Sequence, residues 1–249
     1  MIILKSRREI DIMREANQIV AETHAFLSEN IKPGISTAEI DKLADEFIRG
    51  KGAVPSFKGY QGFPASVCIS INEEVVHGIP NDHRYLENGD IVSIDIGTFY
   101  EGFNGDAART HAVGDISENA SKLLKVTEES LLKGIEKAVI GNRLFDVSHA
   151  VQEFVEKNGF SVVRDYVGHG IGRDMHEDPQ IPNFGPAGKG PKLKKGMTLA
   201  IEPMVNIGGY EVETLEDDWT VVTKDRSLSA HFEHTIAITE DGVEILSKL

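Results

Sequence analysis

The sequence repeats itself weakly at a spacing of 107 residues. This shift places Gly34 on Gly141 and Asp95 on Glu202, and it also superimposes Ile40 and Val147, Phe47 and Phe154, Gly52 and Gly159, Gly89 and Gly196, and Ile94 and Ile201. One match would be chance, but matches in the order helix, glycine, strand and acid at a single offset predict two related α/β halves. Two such halves packed about a pseudo-twofold axis would place Asp95 and Glu202 face to face at the centre.

Local patterns divide the chain into helices and strands. Each of two early helices begins with the spacing of a capping box, formed by Ser6 with Glu9 and by Ser36 with Glu39. Apolar residues at helical spacing predict two later helices over 123–139 and 147–155. Short β-branched segments bounded by Gly, Pro or Asn predict strands over 66–72, 91–96, 103–113, 197–201, 219–223 and 234–239.

The composition excludes several classes of protein. Of 249 residues, 40 are acidic and 26 are basic, and the formal net charge of −14 argues against nucleic acid as the main partner. No apolar run approaches the ~18 residues of a membrane span, and the N-terminus has no signal-peptide core. A single cysteine, Cys68, excludes an internal disulfide and is typical of a reducing compartment. We therefore expect a cytoplasmic protein with no membrane or direct DNA partner.

No segment has the composition of a linker, so we expect a single domain over residues 1–249. Its two halves would be about 1–115 and 116–249.

An acidic residue interrupts one of the apolar strands. Asp95 lies within the segment Ile91 to Ile96, and burying an unpaired carboxylate is costly. A turn centred between residues 100 and 101 would place Asp106 directly opposite Asp95, where like charges repel. Either a salt bridge to Arg109 or a divalent cation would neutralise the pair.

The second half of the chain supplies three more residues of ligand type. Glu202 ends one apolar strand, Glu233 precedes another, and His169 stands between glycines that allow close backbone approach. Four carboxylates match the charge of two divalent cations, which suggests a dinuclear site. Oxygen ligands with one imidazole favour Mn, Fe, Co or Zn over a thiolate site.

Other motifs are missing or ambiguous. The segment around His176 breaks the H-E-x-x-H pattern, no G-x-S-x-G is present, and the glycine-rich segment 185–194 does not fit a phosphate-binding loop. That segment contributes to a basic patch, which is either a solvated loop or a contact for an anionic surface such as ribosomal RNA. The patch consists of Lys189, Lys192, Lys194 and Lys195.

The order and spacing of seven residues resemble the type I methionine aminopeptidases. These residues are His77, Asp95, Asp106, His169, His176, Glu202 and Glu233, and they lie in the strings S-I-N-E-E-V-V-H-G-I-P, G-H-G-I-G, E-P-M-V and F-E-H-T. The similarity extends from about Ser6 to Leu246. The resemblance implies the pita-bread fold of creatinases and aminopeptidases, in which two pseudo-twofold α/β halves surround a central antiparallel sheet, as one catalytic domain.

The resemblance also implies a function and a ligand set. The activity would be removal of the initiator methionine from nascent proteins and peptides, with a small second residue preferred. Hydroxide bridging two divalent ions (Co, Mn, Fe or Zn) would attack the scissile carbonyl. The metal ligands would be Asp95, Asp106, His169, Glu202 and Glu233, with Asp106 and Glu233 shared by both ions. The enzyme would be a monomer acting in the cytoplasm, with ribosome association possible through the lysine patch.

Further roles follow from the same resemblance. Glu202 would shuttle a proton, His77 would contact the leaving nitrogen or the following residue, and His176 would hydrogen-bond the scissile carbonyl oxygen. The methionine pocket would be lined by Tyr60, Phe63, Cys68, Met175 and Trp219, although each alone is typical of ordinary core. No role is assigned to His24, His83, His111, His149, His231 or His234, which we expect to be surface or satisfied structural histidines.

The chain departs from the family pattern at three positions near the expected site. Phe57 stands where some members have cysteine, Gly97 where some have threonine, and Asn104 where many have histidine. These departures affect the expected pocket shape and metal preference rather than the ligand set.

Two alternative functions stay open. An X-Pro aminopeptidase or prolidase would share the fold and metals, but such enzymes usually carry an extra N-terminal domain, for which the first helix near Ser6 leaves no room. A non-catalytic peptide-binding module of this fold would lose metal ligands, and all five are present here.

Overall fold

The computed structural model describes residues 1–249 and contains four α-helices and fifteen short strands. The helices are α1 Arg7–Ser28, α2 Thr37–Gly50, α3 Glu118–Ile135 and α4 Leu144–Lys157. A 3₁₀ turn covers Tyr60–Gly62. The strands of the first half are β1 Val54–Pro55, β2 Val67–Ile71, β3 Glu74–Val76, β4 Ile91–Tyr100 and β5 Phe103–Ala112. Those of the second half are β6 Ser161–Val162, β7 Gly168–Gly170, β8 Glu177–Ile181, β9 Thr198–Ile201, β10 Met204–Asn206, β11 Val212–Thr214, β12 Val221–Thr223, β13 Ser229–His231, β14 His234–Thr239 and β15 Gly242–Ile245.

Side-chain caps explain where the helices begin. Ser6 forms the full capping box with Glu9 at the start of α1, whereas at α2 only Ser36 caps, accepting the Glu39 N–H. The predicted third helix is displaced toward the N-terminus, because Ser117 caps the backbone six residues before the apolar spacing begins at Leu123. None of the helices is long and apolar enough to cross a membrane.

Antiparallel sheets lie at the centre of both halves. The first sheet has the order β1–β4–β2 with β5 also paired to β4, and the second has the order β15–β14–β9–β7–β8. The two sheets meet where the Glu233 N–H donates to the Ala108 carbonyl at 2.9 Å and the Thr235 hydroxyl donates to the Asp106 carbonyl at 2.8 Å. Smaller three-stranded sheets, β13–β10–β6 and β11–β12–β3, flank this junction. Strands β5 and β14 therefore join the halves.

A backbone pattern repeats along the chain at the displacement seen in the sequence. Helix α2 covers 37–50 and helix α4 covers 144–157, which is the same span displaced by 107 residues. Ahead of each helix an isolated β-bridge repeats at that displacement, joining Ser36 to Tyr85 and Arg143 to Lys192. Each half also buries its own apolar core, with Ile94 in the first and Ile201 in the second.

The predicted pairing of Asp95 with Asp106 is wrong by two residues. The hairpin turn consists of Glu101 and Gly102, both at positive φ, so Gly97 lies opposite Asp106 and Ala108 lies opposite Asp95. A two-residue turn with positive φ at both positions matches the twist of the strands, and this determines the register. Asp95 and Asp106 are thus diagonal neighbours on one face, and their carboxyl groups still interact.

Candidate metal centre and substrate pocket

Both halves of the fold contribute acidic side chains to one cavity. Asp95 comes from β4, Asp106 from β5, Glu202 from the residue after β9, and Glu233 from between β13 and β14. His169 lies on β7, and all five side chains line a cavity of about 200 Å³. Asp95 in the middle of β4 and Glu202 directly after β9 occupy equivalent positions in the repeat, and both line the same cavity.

The His169 ring is oriented toward the carboxylates. Its Nδ1 lies 2.9 Å from the Gly170 carbonyl, which an imidazole can satisfy only by donating N–H. Its Nε2 lies 3.7 Å from an Asp106 oxygen and 3.6 Å from a Glu202 oxygen. Ligand atoms of Asp106, His169 and Glu233 all lie within 4.8 Å of one another. An Nε2 held as the unprotonated nitrogen is the form that binds a metal.

The acids face one another without a neutralising base. Burial is the main cause that raises the pKa of Asp95 to about 7 and the pKa of Glu202 to about 8. Burial, together with the neighbouring carboxyls, raises the pKa of Asp106 and of Glu233 well above the usual range. All four carboxylates can therefore be ionised together at neutral pH only if a positive charge joins them.

Arg109 does not supply that charge. It is an odd number of positions from Asp106 along β5, so its side chain points to the opposite face of the sheet. The acid that acts on its pKa is Glu128 rather than the cavity acids. The salt-bridge alternative is therefore wrong.

Unpartnered oxygens show that a cation fits the cavity. Asp95 Oδ1, Asp106 Oδ1 and Glu233 Oε1 are buried and have no hydrogen-bond partner. Buried polar atoms are rarely left in this state. Four carboxylates and one imidazole form an oxygen-rich donor set suited to divalent transition metals. The five residues predicted as ligands are thus together, buried or half-buried, and available to bind.

Two histidines, His77 and His176, line the cavity together with the ligand side chains. The Tyr60 hydroxyl and His176 Nδ1 are 2.7 Å apart, and the His176 and His169 ring centroids are 4.3 Å apart. His77 has φ of 61°, a conformation that is uncommon outside glycine. The His77 and Trp219 rings are nearly perpendicular with centroids 6.3 Å apart, and neither His77 nor His176 belongs to the group of close ligand atoms formed by Asp106, His169 and Glu233.

Aromatic and sulfur-containing side chains form the apolar end of the cavity. Tyr60, Phe63, Cys68 and Trp219 line it, and the Phe63 and Trp219 rings meet edge to face at 5.1 Å. Met175 is buried behind this wall and does not line the cavity. Phe57, already noted near the expected site, also lines the cavity, and the residues in the lining that the sequence did not indicate are Gln61, Val76, Tyr166, Val167 and Met204.

His231 is the residue near the centre that the sequence did not indicate. It is buried at the end of β13, and its Nε2 lies 3.3 Å from a Glu202 oxygen. Its position two residues before Glu233 was the available signal. Three other histidines make ordinary structural contacts: His24 contacts the Ala107 carbonyl, His234 contacts Ser247, and His149 lies on the surface.

Comparison with known proteins agrees with this geometry. The model of metallopeptidase family M24 matches residues 11–240. A methionine aminopeptidase of Clostridium acetobutylicum is 61% identical over 247 residues, covering 99% of each chain. Methionine aminopeptidase 1 of Bacillus subtilis is 61% identical over 249 residues, covering 100% of each.

Solved structures extend the comparison to the fold. The methionine aminopeptidase of Thermotoga maritima superimposes with a TM-score of 0.98 at 50% identity, covering 100% of each chain. A prolidase of Pyrococcus furiosus gives 0.81 at 25% identity, covering 99% of this chain and 66% of the other. The predicted pita-bread fold and the predicted resemblance are confirmed, and this chain belongs to metallopeptidase family M24, where it groups with the methionine aminopeptidases.

Proposed function

We propose that this chain is a metal-dependent aminopeptidase that removes the initiator methionine from nascent proteins and peptides, with a small second residue preferred. The observation that carries the proposal is the cavity itself. One end holds five buried or half-buried ligand side chains from both halves of the chain, and the other end is an apolar pocket of aromatic and sulfur groups. The full-length identity of 61% to methionine aminopeptidases supports the substrate.

Two divalent ions are the proposed cofactors, held by Asp95, Asp106, His169, Glu202 and Glu233. Four carboxylates balance the charge of two such ions, and Asp106 and Glu233 are proposed to be shared between them. A bound divalent cation lowers the pKa of water to near neutrality and polarises a carbonyl oxygen. The oxygen-rich donor set supports Co, Mn, Fe or Zn.

Three side chains have proposed roles toward the substrate. Glu202 holds and moves a proton at its carboxylate, which lies in the cavity beside the other ligand side chains. His176 donates from Nε2 to the scissile carbonyl oxygen, with its ring held by the Tyr60 hydroxyl. His77 contacts the leaving nitrogen or the residue after methionine.

The apolar end of the cavity is the proposed methionine pocket. Polarisable thioethers pack well against aromatic rings, which Tyr60, Phe63 and Trp219 provide. Burial is the main cause that raises the pKa of the Cys68 thiol well above its usual value, and Asp95 adds to it. Cys68 is thus a small neutral wall of the pocket and not a nucleophile. Met175 supports this wall from behind.

The cellular setting is part of the proposal. The chain acts in the cytoplasm as a monomer, as one catalytic domain over 1–249 with halves of about 1–115 and 116–249. Lys189, Lys192, Lys194 and Lys195 are all exposed, which supports contact with an anionic surface such as ribosomal RNA. Co-sedimentation with ribosomes, compared between the wild type and a Lys189→Glu, Lys192→Glu variant, tests this contact.

A peptide panel tests the function. The protein, stripped with chelator and reloaded separately with Mn, Fe, Co or Zn, is given Met-Ala-Ser, a Met peptide with a bulky second residue, and an X-Pro dipeptide. We expect methionine release from Met-Ala-Ser to be fastest. Faster cleavage of the X-Pro dipeptide would replace the proposal with a prolidase. No bound metal by elemental analysis, together with no cleavage of any peptide, would replace it with a binding module.

A further inference from the structure

Glu202 is flanked by two imidazoles, and only one belongs to the ligand set. One of its oxygens lies 3.6 Å from His169 Nε2, and the other lies 3.3 Å from His231 Nε2. The His231 Nε2 is buried and has no hydrogen-bond partner, and its 3.3 Å contact with Glu202 is an ion-pair distance rather than an aligned hydrogen bond. Glu202 is the only acid with an oxygen within 4 Å of this nitrogen.

The backbone of His231 is clamped from two sides. Its N–H donates to the Thr110 hydroxyl at 2.9 Å, and that hydroxyl donates to the His231 carbonyl at 2.9 Å. The Ser93 hydroxyl lies 2.8 Å from the same Thr110 oxygen and completes a buried polar chain from β4 through β5 to β13. On its other side β13 pairs with β10, where His231 faces Met204. The ring therefore projects toward Glu202 from a fixed backbone.

We propose that His231 is a positioning residue, which fixes the plane of the Glu202 carboxylate by donating to one oxygen while the other faces the ligand cluster. The terminal torsion of a glutamate is broad, so a carboxylate without a fixed donor rotates freely. Groups that hydrogen-bond a metal ligand commonly orient it and tune its affinity. This inference deepens the proposed function and rests on it, because Glu202 is both a ligand and the proton carrier there.

A merely structural histidine would behave differently from a positioning one. A structural histidine fills space, so its replacement lowers the melting temperature and leaves the metal affinity and kcat of the folded protein unchanged. A positioning histidine acts through its N–H. A replacement with an amide N–H of similar reach should therefore keep the kcat and metal affinity that an apolar replacement loses. His231→Gln and His231→Leu separate the two roles, because both side chains approximate the size of the ring and only glutamine donates.

The test measures kcat and KM on Met-Ala-Ser and, separately, Mn²⁺ affinity of the stripped protein by calorimetry. We expect His231→Leu to lose about 10–100-fold in kcat or metal affinity with little change in KM, and His231→Gln to recover most of the loss. In a Glu202→Gln background, His231→Leu should cause no further loss of kcat. His111→Leu is the matched control, since its Nε2 is also buried without a partner but forms no ion pair, whereas His231 lies 3.3 Å from Glu202.

Three outcomes would overturn the positioning role. They are wild-type kcat and Mn²⁺ affinity in His231→Leu, equal losses in His231→Leu and His231→Gln, or the same loss in His111→Leu. If His231→Leu does not fold, His231→Asn replaces it, because its amide is one methylene shorter; equal kcat in His231→Asn and His231→Gln would then overturn the inference. A wild-type protein that releases no methionine with any metal refutes the proposed function instead, so the two failures are distinguishable.

Discussion

Histidines outside the metal centre affect how the fold responds to acid. His24 on α1 and His111 on β5 stack with ring centroids 6.2 Å apart, and His234 lies near His24. Burial, with repulsion from Arg109, lowers the pKa of His111 and of His234 to about 4, and burial lowers the pKa of His24 well below its usual value. The folded protein therefore accommodates these rings in their neutral form.

We expect His111 to contribute to loss of stability in acid. The unfolded chain binds a proton at this residue near pH 6.5, whereas the folded pKa is about 4. Stability is thus fully present above pH 6.5 and is lost as pH falls toward 4, by roughly 2–3 kcal/mol between pH 7 and 4.5. The unfolding free energy of wild type and of His111→Gln is measured in urea at pH 7 and at pH 4.5. The variant should lose less unfolding free energy between these two pH values than wild type does, and the difference should be the contribution of His111 given above. Exposed His149 supplies the control, since His149→Gln should show the wild-type drop; an equal drop in His111→Gln would refute the assignment.

At the scale of elements, the hairpin of β4 and β5 leaves room for an aromatic ring beside the metal centre. Gly97 lies opposite Asp106, and its φ is not in the positive region, so any residue could adopt its backbone conformation. A Cβ there would lie 2.7 Å from Phe57 Cε1 and 2.9 Å from Met175 Cε. Phe57 and Met175 therefore fill the space that a side chain at residue 97 would need.

We expect Gly97→Ala to push Phe57 toward the methionine pocket. Overpacking of this kind costs about 1–3 kcal/mol of unfolding free energy, and the displaced ring should raise KM for Met-Ala-Ser. Phe57→Cys removes the ring that an alanine at residue 97 would contact. The double variant should therefore have a higher unfolding free energy and a lower KM than the sum of the two single effects predicts. Gly50→Ala is the control, because nothing lies within 4 Å of its added Cβ. Strictly additive effects in the double variant would show that the two positions do not share this space.

The elements also show what local sequence can and cannot predict. Asp95 was recognisable because an acid inside an apolar strand needs a partner, and the capping serine of α1 was recognisable because its hydrogen bonds are local. The register of β4 and β5 was not, since it depends on Glu101 adopting positive φ, which Gly102 alone does not determine. His231 was missed because its partner Glu202 comes from a different strand, and no periodic pattern links them.

At the scale of the whole molecule, the 107-residue repeat predicted more than any single motif. It predicts that both halves contribute acids to one centre, and Asp95 and Glu202 do line the same cavity. The repeat could not foresee the junction, where β5 and β14 meet through the Glu233 N–H and the Ala108 carbonyl. Contacts between halves depend on how two cores pack, and the local sequence does not encode that.

A centre built from both halves should couple metal binding to global stability. Without cations, keeping Asp95, Asp106, Glu202 and Glu233 ionised across the junction of the sheets is unfavourable, as their raised pKa values show. Metal that binds the folded chain alone should stabilise it by ~2.7 kcal/mol at a concentration of 100 times Kd. Calorimetry should thus show a lower melting temperature in chelator and recovery on adding Mn²⁺. Asp106→Asn should lose activity, and its melting temperature should rise little on adding Mn²⁺. In chelator its melting temperature should equal or exceed that of wild type, because the substitution removes one buried ionisable group. An unchanged wild-type melting temperature in chelator would mean that the halves are held together without the metal.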